Sequence, residues 1–418
     1  MIYFDNNATT FMPDNVKMTL IEYMDQGNPS SDYLIAKRSK KVIDNTKNLI
    51  SKLCKINLSD YTIMFNSGAS EGNNFILHSL AESNNKPHFI LSAVEHKTSL
   101  NCCKELSERG LITYTLINPD IDGSINPKEV IKQIQSNTML VSIMAANNET
   151  GAINNLSIIG NYIKTNNLNI LFHSDYVQLF GKVPPDIESI GLDVITVSFH
   201  KLYGPPQCGF LLISKNKLQN FHLCPMISGS QNDGWRGGTE SAFLIAAAIE
   251  AMNTVFNERK EKNNRLLSLK LLFLDMLSRY NIFWLSEICC LGDYYKPGIN
   301  IIIYGSKNLN YVLPNTVLMS IVYVTDDMDR NDNIKRTEVL CNIKLKKMLY
   351  EKDIIISLGS ACNKGAASYV LEAMNINNKQ LKQSVIRVSF GDYNSPNEII
   401  YFCDVLHDIL IKEFSIYE

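Results

Sequence analysis

A lysine, an aspartate and a histidine able to do covalent and acid-base chemistry stand where short apolar runs of this chain give way to polar or small residues. Lys201 lies in V197-S-F-H-K-L-Y-G-P, between a histidine and a Gly-Pro turn. Asp175 ends N169-I-L-F-H-S-D, with Gln178 three residues on, and His96 follows H88-F-I-L-S-A-V in E95-H-K. T62-I-M-F runs into N66-S-G-A-S-E-G-N-N, and M139-L-V-S-I-M runs into A145-A-N-N-E-T-G. A lone lysine is most often a solvated surface charge, and a lone loop histidine or asparagine a structural hydrogen-bonder. A carboxylate at the end of a buried strand differs, because it is costly unless a cation or strong donor meets it.

The positions of these residues relative to the strands give them a common purpose. From about residue 60 to 215, short β-rich runs alternate with stretches of helical spacing such as N155-L-S-I-I-G-N-Y-I-K. That alternation predicts a mostly parallel sheet covered by helices on both faces, an α/β fold in which ligands gather at the carboxyl ends of the strands. The last third, with strand candidates I299-N-I-I-I-Y, V317-L-M-S-I-V-Y-V, I354-I-I-S and V385-I-R-V-S-F and helices near 263–280, 336–350, 367–374 and 396–415, predicts a smaller α/β domain. The charged segment T325-D-D-M-D-R-N-D-N-I-K-R is expected to be an exposed inserted loop.

At those strand ends the chain offers small residues at a helix start able to cradle an anion, an imidazole, a buried acid and a lysine. A phosphorylated, cationic heteroaromatic aldehyde would use each of them. Pyridoxal phosphate is such a molecule: a lysine holds its aldehyde, an acid keeps its ring nitrogen protonated, and a cradle anchors its phosphate.

Bulk properties exclude other classes. The 418 residues exceed what one core usually supports, which predicts two domains. A hydrophobic share of 45%, a charged share of 20% and a net charge of -2 give no electrostatic footprint for nucleic acid. No apolar stretch is long enough to span a membrane; F243-L-I-A-A-A-I-E-A-M is expected to be a buried helix. No basic-then-apolar leader is visible, so the expected location is cytoplasmic. Ten cysteines without C-x-x-C couples or a Cys/His cluster support neither disulfides nor a metal, and most should be small buried hydrophobes.

In order along the chain, Y3-F-D-N-N-A-T-T, G27-N-P-S-S, N66-S-G-A-S-E-G-N-N, V94-E-H-K, N147-N-E-T-G, D175-Y-V-Q, S198-F-H-K-L-Y-G-P, G234-W-R-G-G-T-E, S357-L-G-S-A-C and I386-R-V-S-F-G resemble the cysteine desulfurases, the NifS/IscS-like group of class V aminotransferases. The resemblance implies a fold-type I pyridoxal-phosphate transferase. It would have a large cofactor domain at 12–255 and a small domain formed by 1–11 and 256–418. It implies that Lys201 forms the Schiff base, His96 stacks on the ring and shuttles protons, Asp175 partners the ring nitrogen, and Gln178 with Asn148 meets the ring hydroxyl. Ser70, Ala69, Ser198 and His200 would contact the phosphate, joined by Thr239 from a second subunit of a homodimer. Arg387, assisted by Asn28, would clamp the substrate carboxylate. Cys362, in the run of small residues G359-S-A-C-N-K-G-A-A-S, would take sulfur from L-cysteine as a persulfide, leaving L-alanine, and pass it to an acceptor protein for iron-sulfur assembly or tRNA thiolation.

The chain departs from the family pattern at Tyr33, Ala36 and Lys37 after G27-N-P-S-S, at Gln207 in the corner after Gly204, and at Asn363 and Lys364 after Cys362. These changes leave two alternatives standing: an enzyme for selenocysteine or another amino acid, and a binding or regulatory homologue without turnover. Retention of Lys201, Asp175, His96, Cys362 and Arg387 speaks against the second.

Overall fold

The computed structural model describes residues 1–83, 85–287, 296–328, 335–359 and 368–415. A short strand β1 (Ile2–Tyr3) opens the chain. Seven strands follow: β2 (Tyr61–Asn66), β3 (His88–Ser92), β4 (Thr113–Ile117), β5 (Thr138–Ser142), β6 (Leu171–Asp175), β7 (Val194–Ser198) and β8 (Gly209–Ser214). They form one sheet in the order β2-β8-β7-β6-β5-β3-β4, parallel except for β8, which runs against both its neighbours. Every residue of β3, β6 and β7 is buried, as expected of strands with helices on both faces.

Because β2, β3, β5, β6 and β7 share one direction, Asn66, the residues after Ser92 and Ser142, Asp175 and Ser198 meet at one edge. Strand β8 starts there, with Gly209 opposite both Asn66 and Ser198. A Cβ on Gly209 would come within 2.4 Å of the Val197 carbonyl oxygen, so only glycine allows this corner.

The remaining strands, β9 (Asn281–Trp284), β10 (Gly298–Tyr304), β11 (Thr316–Met328), β12 (Lys335–Val339) and β14 (Val385–Ser389), form a second sheet. Here the expected charged loop is corrected at its ends: both ends of the 325–336 segment are strand, with Val324 opposite Thr337 and Met328 opposite Lys335, while 329–334 lie outside the described residues. The helix expected from 336 starts instead at Asn342 and runs to Tyr350. Strand β1 pairs in parallel with β13 (Ile354–Ile355), which ties the chain start to the C-terminal part. Phe4, fully buried, secures that tie by packing on Phe390 and Phe402, while Phe273 stacks on Phe402.

The apolar stretch after residue 242 forms the helix Ala242–Asn257, its alanines buried. Among the described residues no helix is long and apolar enough to cross a membrane, and no group of histidines, cysteines and acids could hold a metal. Of the described cysteines, 54, 102, 103, 208 and 403 are buried, whereas Cys224 and Cys341 are exposed.

Candidate active site

A cavity of about 450 Å³ opens at the carboxyl edge of the large sheet. Ten of the expected site residues line it: Lys201, His96, Asp175, Gln178, Asn148, Ser70, Ala69, Ser198, His200 and Arg387. Three do not. Thr239 is exposed and lines an adjoining cavity of about 240 Å³ that shares Ser67 and Gln207 with the first. Asn28 sits in the turn before the helix Leu34–Cys54, where its Oδ1 accepts from the Ser30 amide at 3.0 Å. Cys362 lies outside the described residues.

Lys201 closes a single turn after β7 and reaches the chain start. Its Nζ donates to the carbonyls of Asn7 at 2.6 Å and Ala8 at 2.5 Å. Burial pushes its ammonium down to about 8, and the Arg387 cation adds to the effect. Gln178 donates to the same Asn7 carbonyl at 3.1 Å.

His96 caps the helix Lys97–Glu108: its Nδ1 accepts from the Thr98 amide at 3.3 Å. That bond leaves the ring proton on Nε2. Burial lowers its basicity, with the Asp175 charge opposing. His200 is pushed down to about 4, chiefly by burial and then by Lys201, so neutral rings face the cavity near neutral pH. The neighbouring Glu95 is driven up to about 8 by complete burial.

On the anion side, Gly68 adopts a φ of +131°, and a Cβ there would lie 2.8 Å from Ser198 Oγ. The glycine thus brings the amino end of the helix Ala69–Ser83 against Ser198, whose Oγ accepts from the Ala69 amide at 3.4 Å, and Ser67, Gly68, Ala69 and Ser70 line the cavity beside that helix start. On the opposite side Arg387, only 1% exposed, donates to the Asn148 carbonyl at 2.9 Å and to Asp5 Oδ1 at 2.5 Å. Its Nε and the Asn148 Oδ1 have no hydrogen-bond partner among the described residues. The unspent Nε donor of the buried guanidinium suits an anionic group, and the unspent Asn148 Oδ1, an acceptor, suits a hydroxyl donor. Arg387→Met would leave Asp5 without its cation; we expect a loss of about 3 kcal/mol, seen as a lower thermal midpoint, and an unchanged midpoint would show the pair to be structurally idle.

Asn7, Ala8, Asn73 and Asp5 also belong to the site, although motif reading did not single them out. Asn7 and Ala8 act through backbone carbonyls, which leave no side-chain signature. Asn73, inside the motif that begins at Asn66, donates to Asp175 Oδ2 at 3.0 Å, and the Val177 amide holds Oδ1 at 3.0 Å.

The residues present fit pyridoxal phosphate: a half-buried amine of lowered basicity, an acid at 6% exposure, an imidazole and an anion cradle share one space. The family model "Aminotransferase class-V" matches residues 2–263. A cysteine desulfurase IscS of Rickettsia bellii is 30% identical over 412 residues, covering 96% of this chain and 88% of that protein. A solved NifS-like protein superposes with a TM-score of 0.80 at 29% identity, covering 98% of this chain and 99% of the other. SspA, solved in complex with cysteine, gives a TM-score of 0.72 at 25% identity, covering 94% of this chain and all of the other.

Proposed function

Because the chain belongs to the class-V aminotransferase family and is homologous to the IscS/NifS cysteine desulfurases, we propose that it is a pyridoxal-phosphate enzyme that removes sulfur from L-cysteine. One observation carries this function: Lys201, Asp175, His96 and Arg387, far apart in sequence, line the same cavity at the carboxyl edge of the sheet. When bound, the cofactor supplies an electrophilic carbon and an electron sink for the substrate α-carbon.

The chain's own residues divide the work. Asp175 provides the counter-charge to the ring nitrogen, while Gln178 and Asn148 supply polar contacts at the ring edge. Ser70, Ala69, Ser198 and His200 hold the phosphate at the start of the helix Ala69–Ser83. Arg387 binds the substrate carboxylate, with Asn28 in support, and its bidentate fork sets the orientation of the α-carbon. Lys201 takes the α-proton on Nζ, and His96 exchanges protons through Nε2. The Cys362 thiolate bonds to the substrate sulfur as the Cβ–S bond breaks; the electron pair stays on Cβ, which takes a proton to become the methyl of L-alanine. Cysteine and a thiol thus become alanine and a persulfide, in balance.

We assign the final sulfur to an acceptor protein serving iron-sulfur assembly or tRNA thiolation, and the chain to a reducing, cytoplasmic setting suited to a free thiol. A homodimer would bring Thr239 to the neighbouring phosphate. Met18, Ile21, Leu34 and Ile35, all largely exposed on or near the first helices, offer the apolar surface for such a pairing.

Protonation of Lys201 gives a pH dependence. With the amine at about 8, roughly one in ten is neutral at pH 7 and most are neutral at pH 9. Only the neutral form attacks an aldehyde, so the rate at which stripped protein takes up pyridoxal phosphate should rise with pH and level off above about 8. A rate, read from the visible-edge absorbance, that still climbs about tenfold per pH unit through pH 9 would contradict the lowered basicity.

The function itself is tested by incubating purified protein and cofactor with L-cysteine. L-alanine should form in equal amount to sulfur captured by a thiol acceptor. Turnover of selenocysteine alone, or of neither amino acid, would refute it.

A further inference from the structure

Asp175 stands at the end of a chain of buried hydrogen bonds that the chemistry above does not use. Its Oδ2 accepts from Asn73 Nδ2 at 3.0 Å, and Asn73 Oδ1 accepts from Thr196 Oγ1 at 2.6 Å. Thr196 has spent its only proton, so its oxygen must accept from His173 Nε2, 3.3 Å away. The other ring nitrogen, Nδ1, is then an acceptor for Ser142 Oγ at 2.8 Å. All four bonds therefore point the same way, from Ser142 on β5, through His173 on β6 and Thr196 on β7, to Asn73 on the helix Ala69–Ser83.

Geometry makes the arrangement specific. Ser142, His173, Thr196 and Asn73 are each at most 2% exposed, so water does not compete for their bonds. Burial pushes His173 down to about 3, which keeps the ring neutral and able to donate from one nitrogen only. Gly72 permits the approach: a Cβ there would lie 2.7 Å from Thr196 Cγ2, and the helix would have to move off β7, taking Asn73 with it.

We propose that Asn73, Thr196 and His173 are positioning residues that act in series to orient the Asp175 carboxylate toward the ring nitrogen of the cofactor. Donors polarised in one direction reinforce each other, and they leave Asp175 with lone pairs aimed into the cavity. This rests on the assignment of Asp175 as the ring-nitrogen partner.

The test is a titration of stripped full-length protein with pyridoxal phosphate, followed by the visible-edge absorbance, for wild type and two pairs of variants. Thr196→Val keeps the shape and removes the hydroxyl, whereas Thr196→Ser keeps the hydroxyl and removes the methyl. His173→Leu and His173→Gln make the same contrast one bond further out, since the glutamine amide can still donate to Thr196. The Kd should rise about tenfold in Thr196→Val and severalfold in His173→Leu, while Thr196→Ser and His173→Gln stay within about threefold of wild type. A packing role would give the reverse order at residue 196, with serine the more damaging. That order, or four variants that all match wild type, would overturn the proposal while leaving the cofactor site intact. Failure of wild type to bind at all would overturn the assignment of the site, and this proposal with it.

Discussion

Replacement of Lys201 by alanine is expected to abolish the visible-edge absorbance of the cofactor-loaded protein and to lower desulfurase turnover on the order of 10⁴-fold or more. The amine is placed to serve twice, as the covalent anchor and as the base for the α-proton, so no neighbour replaces it. Lys182, likewise half-buried and pushed down to about 8, donates to the Gln178 carbonyl at 2.9 Å and does not line the main cavity. The substitution removes two hydrogen bonds, to the Asn7 and Ala8 carbonyls; the Asn7 carbonyl keeps Gln178 as its donor and Ala8 lines the cavity, so the fold should survive. Retained turnover in a folded Lys201→Ala protein would remove the lysine from the mechanism.

Cys362→Ser is expected to separate cofactor binding from sulfur transfer. A serine hydroxyl is a far weaker nucleophile toward sulfur than a thiolate and cannot form a persulfide, so sulfur release should fall to background. The cofactor band, and its change on adding L-cysteine, should persist, because the cavity at the sheet edge is built from other segments. The measurement is absorbance and sulfide release on the same sample. A Cys362→Ser protein that still yields alanine and sulfide at the native rate would assign the nucleophile elsewhere, with Cys224 and Cys341 the exposed alternatives among the described cysteines.

The site was legible in the sequence wherever function places a polar side chain at the end of an apolar strand. Strands β3, β6 and β7 are buried on both faces and carry the apolar runs F-I-L, I-L-F (from Ile170) and V-I-T-V, so the polar residues that follow, Asp175 and Lys201 among them, stand out. Strand β4 carries no clear strand signal in the sequence because it lies at the sheet edge and reads T-Y-T-L-I, with only its last residue buried. The charged 325–336 segment was expected as a loop, yet its ends continue β11 and β12 as an antiparallel ribbon, where pairing of backbone groups outweighs side-chain polarity. The hold of Asn7 and Ala8 on Lys201 was illegible for another reason, since carbonyl oxygens are common to every residue. His173 carried no sign of its neighbours either: its link to Thr196 depends on the register of β6 against β7, which pairs His173 with Val194 and Ser174 with Ile195.

The central claim is that the Lys201 amine meets the cofactor aldehyde in the cavity it shares with Asp175. Borohydride reduction of the cofactor-loaded protein, followed by proteolysis and mass spectrometry, tests it most directly. The pyridoxyl group should appear on the peptide containing Lys201 and on no other lysine. Its appearance on Lys182 or Lys262, which line the small neighbouring cavity behind Lys201, or on no peptide at all, would contradict the account.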